Sequence, residues 1–194
     1  MAAKARMKIP PCRILRSSTT AAAVLLGAVG FVGVTFPAHA DDTAPARMEG
    51  SNDPALRDFF LMTGVNRLAV LEAAKMALEQ SSTPEVRIYT QGLIGEETLL
   101  LERLRALAGQ LDISLPETPS DKLAEKLGKL REKSPDDFDK AFLGLLTAIY
   151  ERDLQTFEFA SKLENFGVRE FAVQYRSMFE RQLTEIKKLQ KPEA

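Results

Sequence analysis

Beyond residue 40 the sequence has no cysteine and no histidine. Its single Cys is Cys12, its single His is His39, and it has no tryptophan. These absences exclude disulfides, thiolate nucleophiles, a Ser-His-Asp triad, imidazole general-base chemistry and the ordinary zinc ligand sets from residues 41–194. No glycine-rich phosphate-binding loop is present, and no acid and base are paired at a spacing that would serve catalysis. The expectation is a protein that is not an enzyme. A basic excess is also missing. The 194-residue chain carries 26 basic and 27 acidic side chains, and five of the basic but none of the acidic lie in residues 1–40. The remainder therefore holds 21 against 27, a net of −6. An acidic domain without a basic stripe is a poor candidate for binding DNA or any other nucleic acid.

Residues 1–40 read as a secretory signal peptide. Lys4, Arg6, Lys8, Arg13 and Arg16 form a basic start, "AAAVLLGAVGFVGV" an apolar run, and Pro37 with "AHA" a cleavage site before Asp41. Cys12 precedes the apolar run instead of closing it, which argues against lipidation, and no paired-arginine export signal is present. The expected destination is the periplasm or envelope of a Gram-negative bacterium; membrane attachment requires that the segment stays uncleaved. Residues 41–52, "DDTAPARMEGSN", lack any period and read as a flexible leader.

From Asp53 onward the signals are helical. Asp53 and Pro54 open a helix to about Gln80, with Leu56, Phe59, Phe60, Met62, Ala69, Ala73 and Met76 on its apolar face. "SSTPE" opens a second helix, from Pro84 to about Leu111, with Thr83 as its cap. "SDKLAEKLGKLREK" predicts a short amphipathic helix over 121–133, which turns Leu123, Leu127 and Leu130 to one side. "SPDDFDKAF" starts a helix over 135–163, and the last is expected over 168–189. Two tight hairpins joined by a longer connection make an all-α, antiparallel four-helix bundle of the ferritin-like kind over 53–190, with the short helix in the central crossover. A faint internal echo of "TGVNRLAV…PEVRIYTQGLI" in "TAIYERDL…FGVREFAVQYRSM" supports the hairpin-against-hairpin reading.

The stretches "SSTPEVRIYTQGLI", "LRALAGQLDISLP", "DDFDKAFLGLL" and "REFAVQYRSMFERQLTEIKKL" resemble a bacterial family of secreted ferritin-like proteins. That family is catalogued as a domain of unknown function or under an outer-membrane designation. The resemblance implies three histidines in the bundle. By the matching anchors they fall on Glu97, Tyr150 and Gln182, so none is histidine here.

Glu97 interrupts the apolar stripe of Val86, Tyr89, Leu93, Leu100, Leu104 and Leu107, and Asp153 interrupts that of Phe142, Leu146, Ile149 and Phe157. Helix midpoints put Asn66, Glu97, Tyr150, Asp153 and Gln182 at one height, where ferritin-like bundles hold their metals. Three readings follow. Glu97 and Asp153 could ligate an oxygen-preferring ion such as Ca²⁺, Mg²⁺ or Mn²⁺, with the neutral groups completing the shell. The five residues could instead be a hydrogen-bonded structural layer, or Glu97 could sit at the stripe's edge and reach water. Redox di-iron chemistry is set aside, since it normally needs four carboxylates and two histidines. The lysine-rich helix 121–133 is read as a lid, with docking of a protein partner as its alternative role. Phe138, Phe142, Phe157, Phe171, Tyr175 and Phe179 are expected in the core.

Overall fold

The computed structural model describes residues 52–191. The expected signal peptide and nearly all of the leader lie outside the described residues. Five helices, and no strand among the described residues, make up the fold: α1 Pro54–Gln80, α2 Pro84–Gln110, α3 Asp121–Arg131, α4 Pro135–Ala160 and α5 Phe166–Leu189.

Each start has a local cause. The carboxylate of Asp53 accepts from the Ala55 N–H at 2.8 Å, and Pro54 fills the first turn, where no N–H is needed. Ser134 caps α4 by accepting from the Asp137 N–H. The cap of α2 works differently from the expectation. The Thr83 side chain makes no cap bond. Its hydroxyl and its N–H instead both donate to Asp139 Oδ2 on α4, at 2.6 and 3.2 Å, which ties one hairpin to the other.

The ends also depart from the sequence reading. Helix α4 stops at Ala160, not 163, because the amides of Lys162 and Leu163 bond back three residues and the last turn tightens. Helix α5 begins at Phe166, two residues early, because Asn165 accepts from the Val168 N–H. Helix α3 ends at Arg131, two residues early, since Ser134 must leave helical geometry before Pro135. Helix α2 closes at Gln110 with Asp112 in the left-handed region at φ 54°, while Ile113 N–H reaches Ala108 C=O and Asp112 N–H reaches Gly109 C=O. That is a Schellman closure with Asp in the place usually held by Gly or Asn.

Contacts between side chains fix the packing. Helix α1 packs on α2 and α4, α5 packs on α4 and α2, and α3 covers α1 and α4. The short connections make α1–α2 and α4–α5 antiparallel hairpins. Phe59–Phe157 with Asn66–Asp153 sets α1 antiparallel to α4, and Tyr89–Gln182 with Leu107 against Gly167 sets α2 antiparallel to α5. Helices α2 and α4 therefore run the same way, and the segment between them must travel back along the molecule. Residues 111–120 begin that return across α1, where Pro116 Cδ lies 3.1 Å from the place a Cβ on Gly64 would occupy. Only glycine admits the crossing so closely. Helix α3 completes the return, with Leu123, Leu127 and Leu130 buried beneath it and Arg131 paired to Glu72.

The expected aromatics are all in the core. Phe59, Phe157, Phe171 and Phe179 pack edge-on and tilted with centroids 4.7–6.3 Å apart. Met62 is the one residue of the predicted α1 face that stays out, at 42% exposure. Among the described residues no helix is long and apolar enough to cross a membrane.

Candidate functional site

At mid-height, where the apolar stripes of α1, α2 and α4 meet, each contributes a charge. From α1 comes Arg67, from α2 Glu97, from α4 Asp153, and all three are 0% exposed. Arg67 Nη1 donates to both Glu97 oxygens, at 2.8 and 2.9 Å, and its Nη2 donates to Asp153 Oδ2. The remaining acceptor sites are filled by neighbours. Tyr150 OH donates to Glu97 Oε1 at 2.7 Å, and Asn66 Nδ2 to Asp153 Oδ1 at 2.7 Å. Every carboxylate oxygen thus has a donor, which is the condition for tolerating buried charge. The guanidinium lies against the Tyr150 and Phe179 rings, 5.4 and 4.9 Å from their centroids, so its faces are also engaged. Its Nε has no partner.

The electrostatics follow from the count of charges. Two carboxyls share one guanidinium in a dry core. Burial pushes the Glu97 pKa above its ordinary value, against the opposing pull of Arg67 and the Tyr150 hydroxyl. Tyr150 is also raised well above its usual value, first by burial and then by the Glu97 charge beside it, so it stays a donor.

Four of the five residues singled out from sequence meet here: Asn66, Glu97, Tyr150 and Asp153. The fifth does not. Gln182 belongs to a half-buried chain between α2 and α5, in which Tyr89 OH donates to Gln182 Oε1 at 2.7 Å and Gln182 Nε2 donates to Glu96 Oε2 at 2.6 Å. Arg181 closes that chain by pairing with Glu96 at 3.0 Å. Tyr89 is raised by burial first and by the Glu97 and Glu96 charges next.

Glu97 does not lie at the edge of its helix face, since its carboxylate is fully enclosed. Arg67 is the residue that sequence reasoning missed. It stands seven residues after Phe60 and three before Val70, squarely on the buried stripe of α1, as Glu97 stands on that of α2. Two carboxylates on buried stripes call for a cation at the same height, and that requirement could have found it. Among the described residues no group of three or more His, Cys, Asp or Glu side chains converges as metal ligands.

An all-helical fold over the described residues, with a buried ionic cluster at its centre, is what fold and site define. The chain belongs to the family described as "Domain of unknown function (DUF4142)", which matches residues 40–189. No curated protein and no solved structure matches it.

Proposed function

We propose that this is a non-enzymatic envelope protein, built as a four-helix bundle of ferritin-like connectivity, that acts through its helical surfaces. The observation carrying this reading is the Arg67 guanidinium. It occupies the mid-bundle position between the two carboxylates that a divalent ion would need, and it engages three of their four oxygens. A +2 ion there would have to displace a buried +1 group already bound to both carboxylates, at a cost of several kcal/mol. Cluster chemistry of this sort fixes helix register and needs no turnover.

The surface best suited to a partner is the groove between α3 and α4, of about 250 Å³. Its rim is Lys126, Lys129 and Lys133, and its floor includes Leu130, Ala141, Leu145 and Ala148. Among the described residues Lys126 and Lys133 make no ion pair, while Lys129 pairs with Glu125. An apolar floor under a lysine rim, on an otherwise acidic protein, fits an amphipathic acidic segment of a partner protein.

Two measurements test this. Calorimetric titration of the metal-stripped full chain with Mn²⁺ and Ca²⁺ is expected to give no saturable heat, in wild type or in Glu97→Gln. Micromolar binding abolished by Glu97→Gln would transfer the function to a metal site. Titration with an acidic amphipathic peptide is expected to show binding that weakens at least about tenfold, or 1.4 kcal/mol, in Lys126→Glu/Lys133→Glu. Equal binding by both proteins would remove the groove from consideration.

A further inference from the structure

The outward face of α2 is the reverse of what a solvated helix carries. At about 100° per residue, Ile88, Gly92, Gly95 and Leu99 all fall within about 40° of the direction opposite Glu97. Between Ile88 and Leu99 no charged residue falls on that line, and the first beyond it is exposed Glu102. Ile88 is 70% exposed and Leu99 48%. Both glycines are exposed, and a Cβ added to either would meet nothing within 4 Å, so packing inside the molecule does not require them. Each lowers helix stability by about 1 kcal/mol relative to alanine.

We propose that this face binds the same face of a second copy, forming a two-fold dimer in which the two α2 helices cross antiparallel. The spacing is self-complementary. Ile88, Gly92, Gly95 and Leu99 are separated by four, three and four residues, so an axis between Leu93 and Ile94 sets Ile88 over Leu99 of the second copy and glycine over glycine. The glycines let the backbones approach, and the two large side chains flank them. An isologous contact of this kind must match itself, and the pattern does.

One pair of charges, Glu85 and Arg103, obeys the same symmetry. Glu85 and Arg103 are both exposed, both lie on the α5 side of the apolar line, and are equidistant from the axis to within a residue. In the dimer Glu85 of each copy meets Arg103 of the other, giving two intermolecular ion pairs. Within its own chain Arg103 lies near Tyr175, where its charge opposes the rise that burial gives the Tyr175 hydroxyl. Glu85 shares a shallow depression with Lys188 and Lys191. A single helix pair is small beside the roughly 1,200 Å² of a standard interface, so the dimer is a weak, concentration-dependent one.

Sedimentation of the full chain across the micromolar range, with thermal melts as a folding control, tests the proposal. Wild type is expected to dimerise, and Ile88→Asp to be monomeric with an unchanged melt. Glu85→Arg and Arg103→Glu each set like charges together and should weaken self-association at least tenfold. Mixed together they should associate again, because both cross-pairs then carry opposite charges. A monomeric wild type at every concentration overturns the proposal, as does a dimer untouched by Ile88→Asp. A mixture that associates no better than its components overturns the antiparallel register.

Discussion

Replacing Arg67 with methionine keeps the length and most of the volume of the side chain while removing its charge. The three strongest bonds of the cluster go with it, and Glu97 and Asp153 are left 0% exposed with only Tyr150 and Asn66 as donors. Removing one partner of a buried ion pair typically costs about 3–5 kcal/mol, because the surviving charge is stranded. For a domain of this size each kcal/mol lowers the melting temperature by about 2–4 °C, so the expected drop is roughly 6–20 °C at pH 7. The decisive feature is the pH dependence of that deficit. Without the guanidinium, burial outweighs the remaining Tyr150 bond and lifts the folded-state pKa of Glu97 further above that of the unfolded chain. A raised acid stabilises the fold below its unfolded pKa, and that contribution disappears as pH climbs through the folded one. Each proton taken up is linked to about 1.4 kcal/mol per pH unit. From pH 7 to 4.5 a single carboxyl can recover at most about 3.4 kcal/mol, less what the already raised Glu97 recovers in wild type, so the deficit should narrow. Denaturant unfolding of Arg67→Met and wild type at both pH values measures it. The triple variant Arg67→Met/Glu97→Gln/Asp153→Asn, with no buried charge to strand, should regain most of the stability and show no such pH dependence. A deficit below about 1 kcal/mol, or one that is the same at pH 4.5 and 7, would refute the ionic account of the core.

Three further outcomes follow from the same geometry. Burial holds the Glu97 pKa above 4.5 even with Arg67 present, so its protonated form stabilises the fold below pH 4.5 and this is lost as pH rises toward the raised value; the stability of wild type relative to Glu97→Gln should fall between pH 4 and 7, and a constant difference would contradict it. Tyr150→Phe deletes the 2.7 Å bond to Glu97 Oε1 and should cost about 1.5–3 kcal/mol in chemical denaturation, the range for a hydrogen bond to a charged group. Asp139→Ala frees the Thr83 amide and hydroxyl at the start of α2, and a loss of about 1–2 kcal/mol is expected, with faster amide exchange confined to the first turn of α2.

How much of this was legible in the chain depends on whether the information was local. Helix starts were readable because a cap and a proline act within four residues: Asp53-Pro54 and Ser134-Pro135 do in the structure what they promise in the sequence. Thr83-Pro84 announced the right position by the wrong means, since the partner of Thr83 is Asp139, 56 residues away, and no local pattern predicts that bond. Helix ends were less legible, because the tightened turn after Ala160 is decided by which carbonyl an amide chooses and not by residue type. The centre of the molecule was half legible. A carboxylate on an apolar stripe is conspicuous, and Glu97 and Asp153 were found that way. Arg67 was overlooked because arginines are common on helix surfaces, and its position becomes informative only when the stripes of three helices are compared at one height. Gln182 was misplaced for a related reason. Helix midpoints give height but not rotation, and a rotation that turns Gln182 toward Tyr89 and Glu96 keeps it outside the cluster at little change in height. Charge balance is the constraint that would have joined the pieces. Two anions enclosed in one core demand a cation, the hairpin geometry limits where it can come from, and on α1 Arg67 is the basic residue whose stripe position answers.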